Sequence, residues 1–169
     1  MRTTSPPVIW RRASAPASWL TVPVQGSAGW FWPTSISCLD RAARRLARFR
    51  PQRVQANLLE PLPFDLAPSD SVGLTYVLHC LPGSMEKKLK AVDHLKPLMT
   101  AGAVLFGATI LGRGITPNPA ARALLDLYNA KGVFNNRGDD LEGLRAGLEQ
   151  RFAGVEIAQR GLVALFRAR

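Results

Sequence analysis

The residues with chemistry to offer gather in one short stretch, Ser71 to Gly83. Ser71 to Tyr76 reads as a buried strand, and Pro82 and Gly83 break the chain before a helical pattern begins at Ser84. In an open α/β sheet, ligands sit just past the carboxyl end of a strand. Thr75, Tyr76 and His79 are therefore the first candidates for a binding or reacting role. His79 at such a place is either a base facing a cavity or a core-edge histidine with one ring nitrogen bonded to a carbonyl. Cys80 is most simply a small buried apolar residue. The two cysteines, Cys38 and Cys80, have no metal-ligand spacing and make no disulfide framework, as expected of reduced thiols in a cytoplasmic protein. Gly112 and Gly114 lack the spacing of a phosphate-binding fingerprint and read as a loop.

Positioning such residues takes a core, and 169 residues with 47% hydrophobic and 20% charged content suffice for one. No apolar run approaches the ~20 residues that a membrane helix needs. The net charge of +10 is half local: residues 40–53 hold six arginines against the single Asp40, whereas residues 54–169 are nearly balanced. Nucleic-acid binding would call for a basic stripe interleaved with aromatic residues, and residues 40–53 offer Phe49 alone. The arginines at 41, 44, 45 and 48 read as the solvated face of a helix.

From Ser37 onward the elements are orderly. Ser37 to Asp40 approximates a capping box, and Leu39, Ala42, Ala43, Leu46 and Phe49 fall at helical spacing until Pro51. Val54 to Leu58 reads as a strand, and the proline-rich run from Glu60 to Ser69 as a loop. Ser84 caps a helix with Met85, Leu89, Val92 and Leu95 inward and Lys87, Lys88 and Lys90 toward water. Residues 103–110 form a continuous apolar run of the kind buried on both faces of a parallel sheet. Asn118 and Pro119 open a helix with Ala120, Ala123, Leu124, Leu127 and Tyr128 as its apolar residues, ended by Gly132. Asp139 or Asp140 caps a last helix striped by Leu141, Leu144, Leu148 and Phe152. Residues 155–160 and 162–166 read as two closing strands around Gly161. Strands alternating with helices predict an α/β fold, a doubly wound and mostly parallel Rossmann-like sheet with antiparallel terminal strands.

Taken in order, four of these segments resemble the class I S-adenosylmethionine-dependent methyltransferases over residues 37–169. Gln55 to Phe64 resembles the family's third-strand element with its Leu-Pro-Phe. Asp70 to Leu81 resembles the fourth strand and the turn after it. Leu95 to Pro97 resembles the approach to the fifth strand, and the last two strands resemble the antiparallel sixth and seventh. The resemblance implies S-adenosylmethionine as cofactor and a small-molecule methyl acceptor. It implies that Asn57 bonds the adenine amino group and that the backbone of Leu58 meets the ring. Thr75 and Tyr76 would lie against the methionine part, and His79 would face the substrate cavity. Taken alone, Asn57 reads equally as a turn residue that satisfies its own backbone.

The departure lies at the amino-terminal end. The family's first strand ends in an acid and a Gly-x-Gly-x-Gly turn, whereas no acid precedes Asp40. Gln25 and Ser27 stand where glycines belong around Gly26. Residues 1–36, with four tryptophans and no acid, read as an irregular or disordered leader. Their composition resembles a GC-rich gene read out of frame, and the sheet is expected to lack its first strands. A targeting segment is the other reading of this leader. Methyl transfer needs positioning and desolvation more than a dedicated triad, so no catalytic residue can be named. The alternative is a truncated, catalytically inactive relative that folds or dimerises without cofactor. A dehydrogenase is disfavoured because no Gly-x-Gly-x-x-Gly follows a strand. Exposed strand edges and helix faces predict self-association into a homo-oligomer.

Overall fold

The computed structural model describes residues 57–62 and 68–169 in full, together with Ala47 and the backbone of three amino-terminal strands. The expected helix after Ser37 and the domain boundary at 36/37 lie outside the described residues. Seven strands form one sheet in the order β3-β1-β2-β4-β5-β7-β6. They are β1 (Val8–Arg12), β2 (Trp19–Thr21), β3 (Pro51–Gln55), β4 (Ser69–Thr75), β5 (Met99–Ile110), β6 (Val155–Arg160) and β7 (Val163–Ala168). Three helices are described: α1 (Met85–Leu95), α2 (Pro119–Ala130) and α3 (Leu141–Glu149).

The α/β, Rossmann-like character and the antiparallel terminal pair agree with the sequence reading. The pairing is more mixed than expected, however. β2 with β4 and β4 with β5 are parallel, while β1 with β2, β1 with β3, β5 with β7 and β6 with β7 are antiparallel. A parallel neighbour needs a crossover of a dozen or more residues. Helix α1 supplies one between β4 and β5, whereas the links from β1 to β2 and from β6 to β7 are too short. Two strands, β1 and β2, form where the sequence suggests irregular structure. Val8, Ile9 and Trp10, then Trp19, Leu20 and Thr21, favour strand, but runs this short show no period until a partner strand pairs with them. β3 begins at Pro51 and ends at Gln55, so Asn57 and Leu58 fall in a turn rather than in a strand.

The core sits on one face of the sheet. Val72, Leu74, Leu105, Phe166 and Ala168 from the strands meet Leu89, Val92 and Leu95 of α1 and Leu144 and Leu148 of α3. Helices α1 and α3 share that face and approach closely at Gly147, where a Cβ would stand 2.2 Å from Leu89 Cδ1. The second helical layer of a doubly wound sheet is not represented among the described residues. On the opposite face Phe106 and Leu165 remain 43% and 44% exposed. Gly107 lets Phe166 and β4 close over it, since a Cβ there would lie 2.2 Å from the Leu74 carbonyl oxygen and 2.5 Å from the Phe166 ring.

The helix starts follow the sequence. Ser84, Asn118 and Asp140 each accept an N-cap hydrogen bond. Gly132 takes φ 68° just after α2, as an αL stop requires. Two expectations fail. Lys88, expected in water, is fully buried, because Asp139 waits for it inside. On α2 the buried residue is Leu125, while Leu124 and Leu127 are exposed. The helix docks through Leu125 and Asn129, whose amide donates to the Asn136 side chain, so its apolar stripe turns outward.

Candidate functional site

The carboxyl end of β4 stops at Thr75, which is exposed, and the next residue departs from the strand. Tyr76 has φ 57°, the one positive φ recorded for a non-glycine residue among the described residues. A bulky residue in this region is strained by roughly 1–3 kcal/mol and persists when its surroundings over-determine it. Here the Tyr76 N–H is held by the Ala108 carbonyl at 2.7 Å, while the residue stays 45% exposed. Such strain at the end of a central strand makes Tyr76 a candidate for a functional position.

Val77 and Leu78 then dive into the core, and a single 3-10 turn over Leu78–Cys80 carries His79 behind Tyr76. The His79 ring is only 3% exposed. Its Nδ1 lies 3.4 Å from the Ile110 N–H and 3.5 Å from the Thr109 hydroxyl. A backbone N–H can only donate, so Nδ1 accepts and the neutral ring carries its proton on Nε2. Burial, reinforced by the nearby Lys88 charge, pulls its pKa down to about 4. The Cys80 thiol is pushed up to about 11 by burial, against the pull of Lys88, which makes it a poor nucleophile.

His79 belongs to a row of rings meeting edge to face. Tyr76 and His79 are 5.9 Å apart, His79 and Phe134 4.7 Å, and Phe134 and Tyr128 4.9 Å. The row runs from the end of β4 across the 133–139 loop to α2. Beyond it, Leu124 and Leu127 continue an apolar strip along the exposed side of α2. The structure thus brings Thr75, Tyr76 and His79 to one edge of the sheet.

Asn57 and Leu58 lie elsewhere. The Asn57 side chain accepts from the Leu59 N–H and donates to Glu60, closing its own turn. Leu58 is fully buried, and its carbonyl accepts from His94 Nδ1 at 2.8 Å. His94 sits in the last turn of α1, and eleven helical residues span ~15 Å from the Ser84 end, where the 77–83 turn arrives.

Two features of this region depart from the sequence pattern. Lys88 lies three residues after Met85 and four before Val92, inside the apolar stripe of α1, and that spacing was the available signal. Its Nζ reaches Asp139 Oδ1 and Oδ2 at 2.7 and 2.6 Å and the Asn135 carbonyl at 2.5 Å. Burial pushes Lys88 down and Asp139 up, and each charge opposes the other's shift. The second feature is a polar cavity of about 190 Å³ past the end of β5, lined by Arg122, Asp126, Asn129, Asn136 and Arg137 among others. Asn129 and Asn136 satisfy each other and the Leu125 and Ile110 carbonyls, so they brace the loop rather than await a ligand. Among the described residues no group of three or more His, Cys, Asp or Glu could hold a metal ion, and no helix is long and apolar enough to cross a membrane.

A mixed sheet with helices packed on it, its strained residue and ring row at the carboxyl end of β4, defines an α/β protein of Rossmann-like type. Comparison with known proteins narrows the class. The chain is 39% identical over 130 residues to demethylluteothin O-methyltransferase of Streptomyces thioluteus, covering 77% of this chain and 56% of that protein. It is 41% identical over 136 residues to the methyltransferase ctvB of Aspergillus terreus, covering 79% and 59%. It is 37% identical over 138 residues to an O-methyltransferase of Aspergillus niger, covering 80% and 70%. The chain belongs to the class I S-adenosylmethionine-dependent methyltransferase family. Among solved structures, the methyltransferase CalO6 matches with a TM-score of 0.53 at 17% identity, over 78% of this chain and 46% of that one. Mitomycin 7-O-methyltransferase MmcR matches at 0.50 and 18%, over 77% and 38%. These two show the shared fold. No family model matches the chain. The chain spans 56–63% of the length of the first three curated relatives it matches.

Proposed function

We propose that this chain takes part in S-adenosylmethionine-dependent methyl transfer to a small-molecule acceptor. The observation that carries the reading is the left-handed, exposed Tyr76 at the carboxyl end of β4, in a chain 39% identical to a protein named as an O-methyltransferase. Thr75 and Tyr76 fit the methionine end of the cofactor, because they are exposed at the last residue of the strand and the one just after it. Asn57 and Leu58 fit the adenine end less well as placed, since the Asn57 amide and the Leu58 carbonyl already have partners. Held at Thr75 and Tyr76, S-adenosylmethionine would supply a sulfonium methyl for an acceptor heteroatom, leaving as S-adenosylhomocysteine while the acceptor gives up its proton. The residues of this chain contribute position and exclusion of water.

His79 backs the acceptor side of this edge. Its Nδ1 is engaged by the Ile110 N–H, so the role left to it is ring packing and donation from Nε2, not proton abstraction through Nδ1. A small acceptor suits this apolar edge better than nucleic acid does, and the half-buried free thiol of Cys80 accords with a reducing, cytoplasmic setting. The second reading, a non-catalytic relative that folds without cofactor, is favoured by the satisfied turn at Asn57. Calorimetric titration of the 169-residue chain with S-adenosylhomocysteine separates the two. Micromolar binding is expected, and no heat from a folded chain would defeat the enzymatic reading.

A further inference from the structure

The buried charge that neither the core nor the transfer chemistry explains is Lys88. Its ammonium is fully buried and has three acceptors for its three protons: both Asp139 carboxylate oxygens and the Asn135 carbonyl. Saturated in this way, it can touch no substrate, and whatever it does must act through its partners. Those partners belong to the 133–139 loop. The Asn135 N–H donates to the His79 carbonyl at 2.7 Å. The Asn135 side chain accepts from the Gly83 N–H at 3.2 Å. Its neighbour Phe134 sets its ring edge to face against His79, 4.7 Å away. One cation thus joins three segments that are far apart in sequence: the 77–83 turn, α1 and the 133–139 loop.

An apolar side chain at position 88 would fill the space, but it would leave the loop free to slide. Directional bonds to a fixed carboxylate and a fixed carbonyl specify one register for it. We propose that Lys88 is a positioning residue for the acceptor side of the site, holding the 133–139 loop so that Phe134 and Asn135 fix His79 and the ring row ending in Tyr76. The inference rests on reading that edge as the acceptor's side.

The chain has two histidines, His79 and His94, so ring signals of nitrogen-15-labelled histidine can be assigned to each. In the wild type, His79 shows the Nε2–H tautomer and strong proton contacts to Phe134. The double variant Lys88→Met/Asp139→Leu removes both charges together and leaves no buried charge unpaired; the Asn135 carbonyl that loses its donor belongs to an exposed residue. It is expected to fold, to lose His79–Phe134 contact intensity at least threefold, and to show averaged His79 ring nitrogens. A folded double variant with an unchanged His79 pattern overturns the inference. Hydrogen exchange on the wild type gives a reading that needs no variant. The Asn135 amide is expected to exchange at least a hundredfold more slowly than in an unfolded chain, and an unprotected rate overturns the inference too. Titration of the wild type with S-adenosylhomocysteine judges the methyl-transfer reading separately, because neither ring pattern nor amide exchange depends on cofactor binding.

Discussion

Acid should unfold this protein through His79 before it reaches the carboxylates. The folded imidazole is held near 4 by burial and by the Lys88 charge, against an ordinary value of 6.5. As pH falls, the unfolded chain therefore takes up a proton first, and stability declines with it. The contribution is fully present above pH 6.5, is lost progressively toward about pH 4, and levels off below that. An interval of this size corresponds to about 3 kcal/mol, a large share of the 5–15 kcal/mol that a typical domain has. Asp139 acts with the opposite sign, because its raised folded value favours the folded state as it protonates. Asp93 and Asp140, lowered by Arg151 and by the Gly143 N–H respectively, begin to lose their stabilisation as pH falls into the usual carboxylate range and go on losing it below. The comparison that isolates His79 is urea unfolding, followed by far-ultraviolet circular dichroism, of wild type and His79→Phe between pH 7.5 and 4.5. Phenylalanine keeps a ring between Tyr76 and Phe134 but leaves the Ile110 N–H without its acceptor, which costs roughly 1–3 kcal/mol at every pH. The wild-type curve should fall by about 2 kcal/mol more than the variant's over this range. Parallel curves would refute the buried, neutral placement of His79.

Gly107→Ala should destabilise the protein by roughly 3 kcal/mol or more, because the new Cβ meets the Leu74 carbonyl, a backbone group that cannot step aside; thermal unfolding reads the loss. Phe106→Thr with Leu165→Thr should change stability little, since both residues are nearly half exposed on the open sheet face. The pair should nonetheless reduce self-association, so the wild type elutes above 18.4 kDa in sizing chromatography and the variant nearer to it. A sharp monomeric wild-type peak at micromolar concentration would count against an associating sheet face.

Much of the fold is legible in local signals. Ser84, Asn118 and Asp140 announce the helices because a side-chain oxygen before an apolar period has one obvious use. The run at 103–110 and the pair around Gly161 announce strands for the same kind of reason, a period of two or an unbroken apolar stretch between breakers. The end of β4 is legible by rule, since a strand that carries Thr75 stops there and Pro82 and Gly83 break the chain before the next helix. What that reasoning missed was decided between segments. Lys88 reads as solvated until Asp139, 51 residues later, is brought to it. Leu124 and Leu127 read as core until Asn129 and Asn136 turn the other side of α2 inward.

The sequence by itself determined the three helices from Ser84 onward and the strands β4 to β7, and it proposed the carboxyl end of β4 as the place for a site. It did so because capping, periodicity and chain breaks act within a few residues. Tertiary structure alone decided the rest: the protonation pattern of His79, the left-handed turn at Tyr76, the burial of Lys88, and the distance of Asn57 and Leu58 from the other candidates. Each of these depends on groups far apart in the chain, where burial and hydrogen bonding set the energy and local pattern has no hold.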